Sequence, residues 1–447
     1  MHIFTFRDMT LALDPNSGSL FTVDPLAGEI IARMQHEAHG DIYNDMLKDH
    51  DAVVLDEAFA EVKSLVAEGL VFAPLPVEPP REDSGPEVKA MCLHVAHDCN
   101  LRCRYCFAGT GDFGGGRSLM DIPTGRAAID FLIHSSGRRR NLELDFFGGE
   151  PLLNFPLVRD LVAYGEEQAR QNDKNLRFTL TTNGTLISDE VKSFLNDKKI
   201  ALVLSIDGRP EVNDKMRPFP GGSGSYAPVS QALLDMVDSR GHRNYYVRGT
   251  YTAHNLDFAA DVRHLYYLGF REISLEPVVG GQGADYGIRE EHLSALRAEY
   301  DRLADFYLEC WDKGDPFHFF HFNMSTYGGP CLAKRVTGCG AGYDYVAVTP
   351  EGDLYPCHQF VGHEEFRIGD VHRGLSRADI SDKFVRANLY SKPECLECWA
   401  RFYCSGGCHA SAHFVNGSFF SPDHVSCELQ KKRIECALGI AALDVRS

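Results

Sequence analysis

Residues 91–278 alternate between short strand-like runs and helical stretches, and this alternation constrains the fold more than any other feature of the sequence. The strand-like runs are MCLHVAH (91–97), LELDFFGG (142–149), LRFTLTTNG (176–184), IALVLSIDG (200–208), YYVRGTYT (245–252) and REISLEPV (271–278). Helices are predicted at 155–171, 188–198 and 226–240. Strands that alternate with helices predict parallel βα units of an α/β fold, here a partial (β/α)6, TIM-like barrel. In such barrels the chemistry lies at the C-terminal ends of the strands.

A smaller unit precedes the barrel. The stretch LALDPNSGSLFTVD (11–24) predicts two strands around an Asn-Ser-Gly turn, and helical stretches follow near 25–36 and 56–69. A hairpin with helices over residues 1–80 suggests a winged-helix-like module. Its acidic composition disfavours DNA as a partner, so a peptide is the preferred ligand.

Composition sets the remaining boundaries. Residues 74–90 contain five prolines, and we place a linker at 81–90. The barrel is predicted to span 91–310. Residues 311–447 form a further region, which is rich in cysteine, glycine and aromatic residues after residue 330 and has weak periodicity there. Such a segment has little aliphatic mass for a core and is expected to fold around metal.

Charge and hydropathy exclude several classes of function. The chain has 447 residues and a net charge of −18, which argues against nucleic acid because phosphate binding needs a basic surface. No apolar run approaches the ~20 residues that span a bilayer, and the N-terminal stretch does not resemble a signal peptide. We therefore expect a cytoplasmic protein, whose 14 cysteines are reduced and available as metal ligands.

The cysteines form two groups. Cys99, Cys103 and Cys106 follow the first barrel strand in a C-x3-C-x2-C pattern. Three thiolates can hold an iron–sulfur cluster and leave one iron open to a small molecule. The alternative is a zinc knuckle with His94 or His97 as fourth ligand.

The second group lies in the C-terminal region, where a double zinc site is the alternative to iron–sulfur clusters. Its members are Cys331, Cys339, Cys357, Cys395, Cys398, Cys404, Cys408 and Cys427. Cys92, Cys310 and Cys436 lie outside both patterns and are interpreted as buried small hydrophobes.

Polar and glycine residues follow the predicted strands at the expected active edge. They are Gly148, Gly149, Glu150 and Pro151 after the second strand, Thr182, Asn183 and Gly184 after the third, and Ser205 and Asp207 after the fourth. Paired glycines let the backbone approach a ligand closely, and a carboxylate can accept from an ammonium group. Arg217 and Arg248 are candidate clamps for a carboxylate. By default these residues are turn formers and surface ion pairs.

The first cysteine loop, with Tyr105 before its last cysteine, resembles the signature of the radical S-adenosylmethionine enzymes. The resemblance implies that the open iron of a 4Fe-4S cluster chelates the methionine amino and carboxylate groups. Reduction then cleaves S-adenosylmethionine to methionine and a 5′-deoxyadenosyl radical. It further implies that residues 148–151 bind the methionine amine, and that the ends of the third and fourth strands contact ribose, sulfonium or carboxylate.

The C-terminal spacing resembles the SPASM extension of radical S-adenosylmethionine enzymes that modify peptides, which carries two auxiliary 4Fe-4S clusters and brings the total to three. The implied ligands are Cys339, Cys357 and Cys408 for the first auxiliary cluster, and Cys395, Cys398, Cys404 and Cys427 for the second. Cys331 either completes the first or lies beside it unused.

Within this family the chain is most similar to the maturases of peptides with six cysteines in forty-five residues. The matching stretches are CRYCFAGTGDFGG (103–115), FHFFHFN (317–323), residues 329–362 and LDPNSGSLFTVD (13–24). The resemblance implies thioether crosslinking of a cysteine-rich precursor peptide with a leader, and an electron donor such as flavodoxin or ferredoxin.

Three alternatives stay open. An anaerobic sulfatase-type maturase would produce formylglycine, but that family has an aspartate where this chain has His358, a further candidate catalytic residue. Other SPASM modifications, such as carbon–carbon crosslinking or epimerisation, fit equally well because the unseen substrate chooses the acceptor carbon. A non-catalytic metal-cluster scaffold that binds peptides is the alternative from another class.

Overall fold

The computed structural model describes residues 1–79, 87–281, 283–324 and 335–443. At the N-terminus, strands β1 (His2–Phe6), β2 (Met9–Leu13) and β3 (Leu20–Val23) form an antiparallel sheet in the order β1-β2-β3. Helices α1 (Pro25–Arg33), α2 (His39–Met46) and α3 (Ala52–Ala67) follow. The predicted hairpin is β2-β3 and the predicted helices are α1 and α3, whereas β1 and α2 were not predicted. Winged-helix homology stays a prediction.

All predicted barrel strands are present, and they pair in parallel. They are β4 (Ala90–His97), β6 (Asn141–Gly148), β7 (Asn175–Thr182), β8 (Ala201–Ser205), β9 (Tyr245–Tyr251) and β10 (Glu272–Pro277). Two short strands of the same sheet, β5 (Ser118–Leu119) and β11 (His318–Phe319), were not predicted. The parallel order is β11-β10-β9-β8-β7-β6-β4, and the short β5 pairs antiparallel with β4. Every residue of β4 is buried, as expected for a parallel strand that is covered on both faces.

Helices cover this sheet. They are α4 (Ile122–Ser135), α5 (Phe155–Gln171), α6 (Asp189–Asp197), α7 (Pro210–Met216), α8 (Tyr226–Ser239), α9 (Phe258–Leu268) and α10 (Leu293–Asp312). Local sequence fixes where they begin: the side chains of Asp121 and Ser188 accept from backbone N–H groups at the starts of α4 and α6. Helices α5, α6 and α8 lie where the apolar periodicity predicts them.

The sheet continues past β4 into the C-terminal region. Strand β12 (Tyr345–Val348) pairs in parallel with β4, and β13 (Asp353–Tyr355), β14 (Gly369–Asp370) and β15 (Gly374–Leu375) extend it antiparallel. Within the described residues, β4 therefore has β6 and β12 as its main neighbours and does not close onto β10. The mixed sheet agrees with an α/β fold, and its curvature into a partial barrel stays a prediction.

The C-terminal region ends in short helices and one long one. They are α11 (Ala378–Arg386), α12 (Pro393–Glu397), α13 (Arg401–Cys404), α14 (His409–Asn416) and α15 (His424–Ala442). No helix among the described residues is long and apolar enough to cross a membrane.

The N-terminal unit packs against this cysteine-rich region. The His2 ring stacks on Trp399 with centroids 3.8 Å apart. The Arg401 guanidinium donates to the Asn16 amide oxygen from one nitrogen and to the Cys398 carbonyl, at 2.9 Å, from another. One buried arginine thus joins the N-terminal unit to the segment that carries a predicted cluster ligand.

Candidate functional site

A cleft of about 1120 Å³ opens at the C-terminal ends of the parallel strands. Of the residues that the sequence nominates, those lining it are Cys99, Cys103, Tyr105, Cys106, Gly148, Gly149, Thr182, Asn183, Ser205, Arg217 and Arg248. They come from separate strand ends and loops, and the parallel topology brings them to one edge of the sheet. Glu150, Pro151, Asp207 and His358 are not part of this lining.

The cysteine loop is held by its backbone. The Arg102 N–H donates to the Pro218 carbonyl and the Arg104 N–H to the Met216 carbonyl, each at 2.8 Å. The Asn183 side-chain nitrogen lies 3.8 Å from the Cys99 sulfur. The loop is therefore fixed between the end of β7 and the segment after α7.

Two glycines allow the end of β6 to pack directly on the start of this loop. A Cβ on Gly148 would lie 2.1 Å from the Ala96 carbonyl oxygen, and one on Gly149 would lie 2.2 Å from the Asp98 carbonyl oxygen. Gly148 also has φ +131°, a conformation that side chains rarely adopt. The two glycines therefore allow the end of β6 to lie against the backbone that precedes Cys99, rather than against a ligand.

Glu150 lies behind the cleft and is fully buried. Its carboxylate accepts from the Thr182 hydroxyl and the Asn183 N–H, both at 2.8 Å, and from the Leu152 N–H at 3.1 Å. Burial raises the pKa of Glu150 to about 7, against the opposing effect of these donors. In the described structure Glu150 ties the end of β6 to the end of β7.

Asp207 organises the floor of the cleft from a fully buried position. It accepts from the Tyr105 hydroxyl at 2.7 and 2.8 Å, from the Arg217 Nε at 2.9 Å and from the Thr250 N–H at 2.9 Å. The Arg217 guanidinium also lies over the Tyr105 ring, 5.4 Å from its centroid. Arg217 is therefore a buried partner of the cysteine loop and not the surface ion pair that was its default interpretation.

Arg248 projects from β9 into the cleft, where its side chain is 43% exposed, and donates to Glu276 at 2.7 Å. Burial alone would raise the pKa of Glu276, but Arg248 and His321 lower it to about 2. The sequence interpretation missed Glu276. Because Glu276 lies at the C-terminal end of β10, the expectation that functional residues follow the strands could have identified it. Other lining residues that were not nominated are Leu101, Phe107, Ala108, Phe147, Thr181, Thr250, Pro277, Val278, Val279 and Gln359.

His358 is close to the cleft but does not line it. Its Nδ1 lies 3.0 Å from the Tyr345 hydroxyl, and its ring packs against Phe107 and Phe147 with centroids 5.4 Å away in each case. Burial lowers the pKa of His358 to about 4, so the ring is neutral near pH 7. The next residue, Gln359, faces the cleft instead.

The donor set at the cleft fits an iron–sulfur cluster. Burial raises the pKa of both Cys99 and Cys103 to about 12 and raises that of Cys106 as well. Metal binding deprotonates such thiols and removes the cost of burying a free thiolate. Three thiols on one loop at the rim of a cleft match a cluster that keeps one iron open.

Cysteines of both implied sets lie close to one another, since Cys404, Cys408 and Cys427 line one cavity, and their division between two clusters stays a prediction. Burial raises the pKa of Cys357, and the nearby Cys408 and Cys339 raise it further. A cavity of about 600 Å³ is lined by Cys395, Cys398, Cys404 and Cys427 together. Cys331 lies outside the described residues.

No group of three or more His, Cys, Asp or Glu side chains within the described ranges has the arrangement that a metal ion needs. A 4Fe-4S cluster distributes its thiolate ligands over several irons.

Two protein-family models match the chain. A model described as a 4Fe-4S single cluster domain matches residues 84–227, which contain the cysteine loop. The SPASM model, an iron-sulfur cluster-binding domain, matches residues 339–399. The matches fall on the two regions that carry the grouped cysteines.

Several known proteins are similar in sequence. An uncharacterized protein of Methanocaldococcus jannaschii is 30% identical over 190 residues, which cover 42% of this chain and only 62% of that protein. A mycofactocin maturase of Mycobacterium ulcerans is 28% identical, and the match covers 74% of this chain and 86% of that protein. A cysteine-type anaerobic sulfatase-maturating enzyme of Clostridium perfringens is 24% identical, with coverage of 72% and 89%.

Solved structures share the fold at lower identity. Native anSMEcpe with bound AdoMet has a TM-score of 0.67 at 19% identity, covering 80% of this chain and 100% of that chain. Streptococcus suis SuiB bound to S-adenosylmethionine has a TM-score of 0.53 at 16% identity, covering 95% and 100%. These likenesses establish the common fold.

Proposed function

We propose that the chain, which is similar to the radical S-adenosylmethionine proteins that carry a SPASM domain, uses S-adenosylmethionine to install a thioether crosslink in a cysteine-rich peptide. The observation that carries the proposal is the convergence of Cys99, Cys103 and Cys106 with the ends of several strands around one cleft. A reduced 4Fe-4S cluster held there by these cysteines would supply the electron that cleaves S-adenosylmethionine into methionine and a 5′-deoxyadenosyl radical.

The chain's own residues bind and orient the cofactor. Arg248 is partly exposed in the cleft and can pair with the methionine carboxylate. Thr182, Asn183 and Ser205 offer polar groups to the ribose and the methionine moiety. Asp207 holds the cysteine loop in place through Tyr105.

The peptide is proposed to bind through the N-terminal unit. Within the described residues, β3 pairs with β2 alone, so its other edge is free to accept an extended leader as an added strand. Capture of the leader raises the effective concentration of the rest of the precursor at the cleft. A relative is named a mycofactocin maturase, and one solved neighbour contains the Cp18Cys peptide; both support a peptide substrate.

The crosslink requires a balanced loss of two hydrogens from the peptide. One hydrogen atom passes from the acceptor carbon to the 5′-deoxyadenosyl radical, which becomes 5′-deoxyadenosine, and the cysteine thiol loses a proton. The carbon–sulfur bond then forms, and an auxiliary cluster would accept the surplus electron. The two C-terminal cysteine sets are proposed to hold these clusters, which gives three 4Fe-4S clusters in all. A flavodoxin or ferredoxin of the reducing cytoplasm is the proposed electron donor.

The experiment is anaerobic incubation of the reconstituted, reduced enzyme with a cysteine-rich precursor peptide, followed by tandem mass spectrometry. The expected product has lost two hydrogens and one free thiol and carries a sulfur bridge between two residues. Cys310→Ala is the matched control, since Cys310 is buried in α10 away from both cysteine groups, and it should crosslink like the wild type. A peptide whose thiols all stay free after S-adenosylmethionine turnover would contradict thioether formation.

Formylglycine formation is the second candidate function. It is favoured by the relatives named cysteine-type anaerobic sulfatase-maturating enzymes, which align along 72% of this chain. That reaction replaces a thiol with an aldehyde, so a carbonyl-reactive probe separates it from a thioether in the same assay.

A further inference from the structure

Lys392 is a lysine with almost no access to solvent. Its side chain is 1% exposed and is among the largest fully buried side chains of the described residues. It stands immediately before α12, which carries Cys395, and its backbone carbonyl accepts from the Cys395 N–H at 2.9 Å. Lysines are almost never fully buried unless they are paired, so the surroundings of this ammonium need an explanation.

The Lys392 ammonium reaches the loop that connects the two cysteine sets. Its Nζ donates to the Gly406 carbonyl at 2.8 Å, and Gly406 lies between Cys404 and Cys408 in the chain. Gly406 has φ +83°, a conformation suited to glycine. It lines both the cavity that contains Cys395, Cys398, Cys404 and Cys427 and a neighbouring cavity that is lined by Cys404, Cys408 and Cys427.

Cysteine sulfurs are the acidic groups that act on this lysine. Burial lowers the pKa of Lys392, and this is opposed by Cys395, Cys404 and Cys427 of one set and by Cys408 of the other. Among the residues that the structure describes, no carboxylate oxygen lies within the 4.0 Å of an ion pair with Lys392. A buried lysine without a carboxylate partner either loses its proton or keeps its charge beside other negative groups, and bound iron–sulfur clusters would supply such negative charge.

We propose that Lys392 is a positioning residue that acts as the shared counter-cation of the two auxiliary clusters and makes both of them easier to reduce. The inference rests on the proposed auxiliary clusters, and it assigns a role to a residue that is not itself a ligand. Thiolate ligation gives such clusters net negative charge, and each reduction adds one further electron. A fixed positive charge nearby stabilises the reduced state, and net charge is one of the factors that set cluster potentials. The same charge lowers the energy of an electron received from the peptide.

The experiment measures midpoint potentials in a full-length background in which Cys99, Cys103 and Cys106 are alanine, so that only auxiliary clusters contribute. Lys392→Met removes the charge at similar length, Lys392→Gln keeps a neutral hydrogen-bond donor, and Lys392→Arg keeps the charge. Lys198→Met is the matched control, because Lys198 is paired with Glu166, is 35% exposed and lines neither of these cavities. Dithionite titration is followed by optical and electron paramagnetic resonance spectra, with iron and sulfide content measured for each protein.

In Lys392→Met and Lys392→Gln the equilibrium constant for reduction of an auxiliary cluster should fall at least tenfold. Its midpoint potential should therefore become more negative by at least about 59 mV for one electron. Lys392→Arg and Lys198→Met should stay close to the parent protein. Unchanged potentials in fully loaded neutral variants, or an equal shift in Lys392→Arg, would overturn the role of the charge.

If the neutral variants lose auxiliary iron, Lys392→Arg decides the matter. If Lys392→Arg retains its auxiliary iron, the positive charge is what the site requires, as proposed. If it loses that iron, the site requires the shape of lysine and the proposed role of the charge is wrong. A parent protein without auxiliary iron would remove the proposed clusters themselves, which is a different failure from intact clusters with unchanged potentials.

Discussion

Replacing Asp207 by asparagine should release the cysteine loop from the floor of the cleft. The substitution keeps the shape of the side chain but removes the charge that faces Arg217, whose side chain is 12% exposed. Breaking a buried ion pair from one side costs about 3–5 kcal/mol, because the remaining charge is left without a partner. Asparagine retains an acceptor oxygen, so we expect the lower end, about 3 kcal/mol. At about 1.4 kcal/mol per factor of ten, local opening of the loop should increase about a hundredfold.

Hydrogen exchange measured by mass spectrometry can test this magnitude. The N–H groups of Arg102 and Arg104 are bonded to the carbonyls of residues 218 and 216, so their exchange reports opening of the loop. Asp173→Asn is the control. The side chains of Asp173 and its ion-pair partner Arg140 are 84% and 71% exposed, so this pair should contribute only about 0–1 kcal/mol to stability. Loop exchange that changes no more in Asp207→Asn than in Asp173→Asn would refute the assignment of Asp207 as the organiser of the cleft.

Three further changes have defined outcomes. Burial raises the pKa of Glu150 from 4.5 to about 7, so the carboxyl group contributes its full stabilisation below pH 4.5 and loses it as the pH rises through 7. In Glu150→Gln the free energy of unfolding in urea should therefore depend less on pH between 4.5 and 7. The same pH dependence in the variant and the wild type would contradict the raised pKa. Arg248→Lys should weaken S-adenosylmethionine binding about tenfold in equilibrium dialysis, because lysine cannot make the forked contact with a carboxylate; equal affinity would place the carboxylate elsewhere. Arg401→Ala leaves a buried hydrogen-bond acceptor without its donor, which should weaken the attachment of the N-terminal unit by about 1–3 kcal/mol and speed its proteolysis. Arg7→Ala breaks an exposed ion pair with Asp305 and should leave the rate of proteolysis unchanged.

The alternation of parallel strands and helices was predictable because its signal is local. Each of the predicted strands is a short apolar run bounded by turn residues, and the helices α5, α6 and α8 show clear periodicity. The expectation that functional residues follow the strands also identified Gly148, Thr182 and Ser205, which line the cleft from three different strands. Strand β1 and helix α2 lack such a signal: α2 is the short segment HGDIYNDM, in which Ile42 and Met46 are the buried residues.

The parts that could not be predicted depend on contacts between segments far apart in sequence. The pairing of β12 with β4 joins residues about 250 positions apart, and no local pattern specifies it. The sequence assigns Glu150 to a ligand, and only the three-dimensional structure reveals that its oxygens already accept from Thr182 and Asn183. Likewise, Lys392 looks like an ordinary surface lysine until its burial is known.

The central claim is that Cys99, Cys103 and Cys106 hold the cluster that cleaves S-adenosylmethionine. The most direct test is 5′-deoxyadenosine formation by the reduced, reconstituted protein, measured together with iron content in the wild type and in the variant with all three cysteines changed to alanine. We predict that the wild type forms 5′-deoxyadenosine, while the variant forms none and keeps its auxiliary iron. Undiminished 5′-deoxyadenosine formation in the variant would contradict the account.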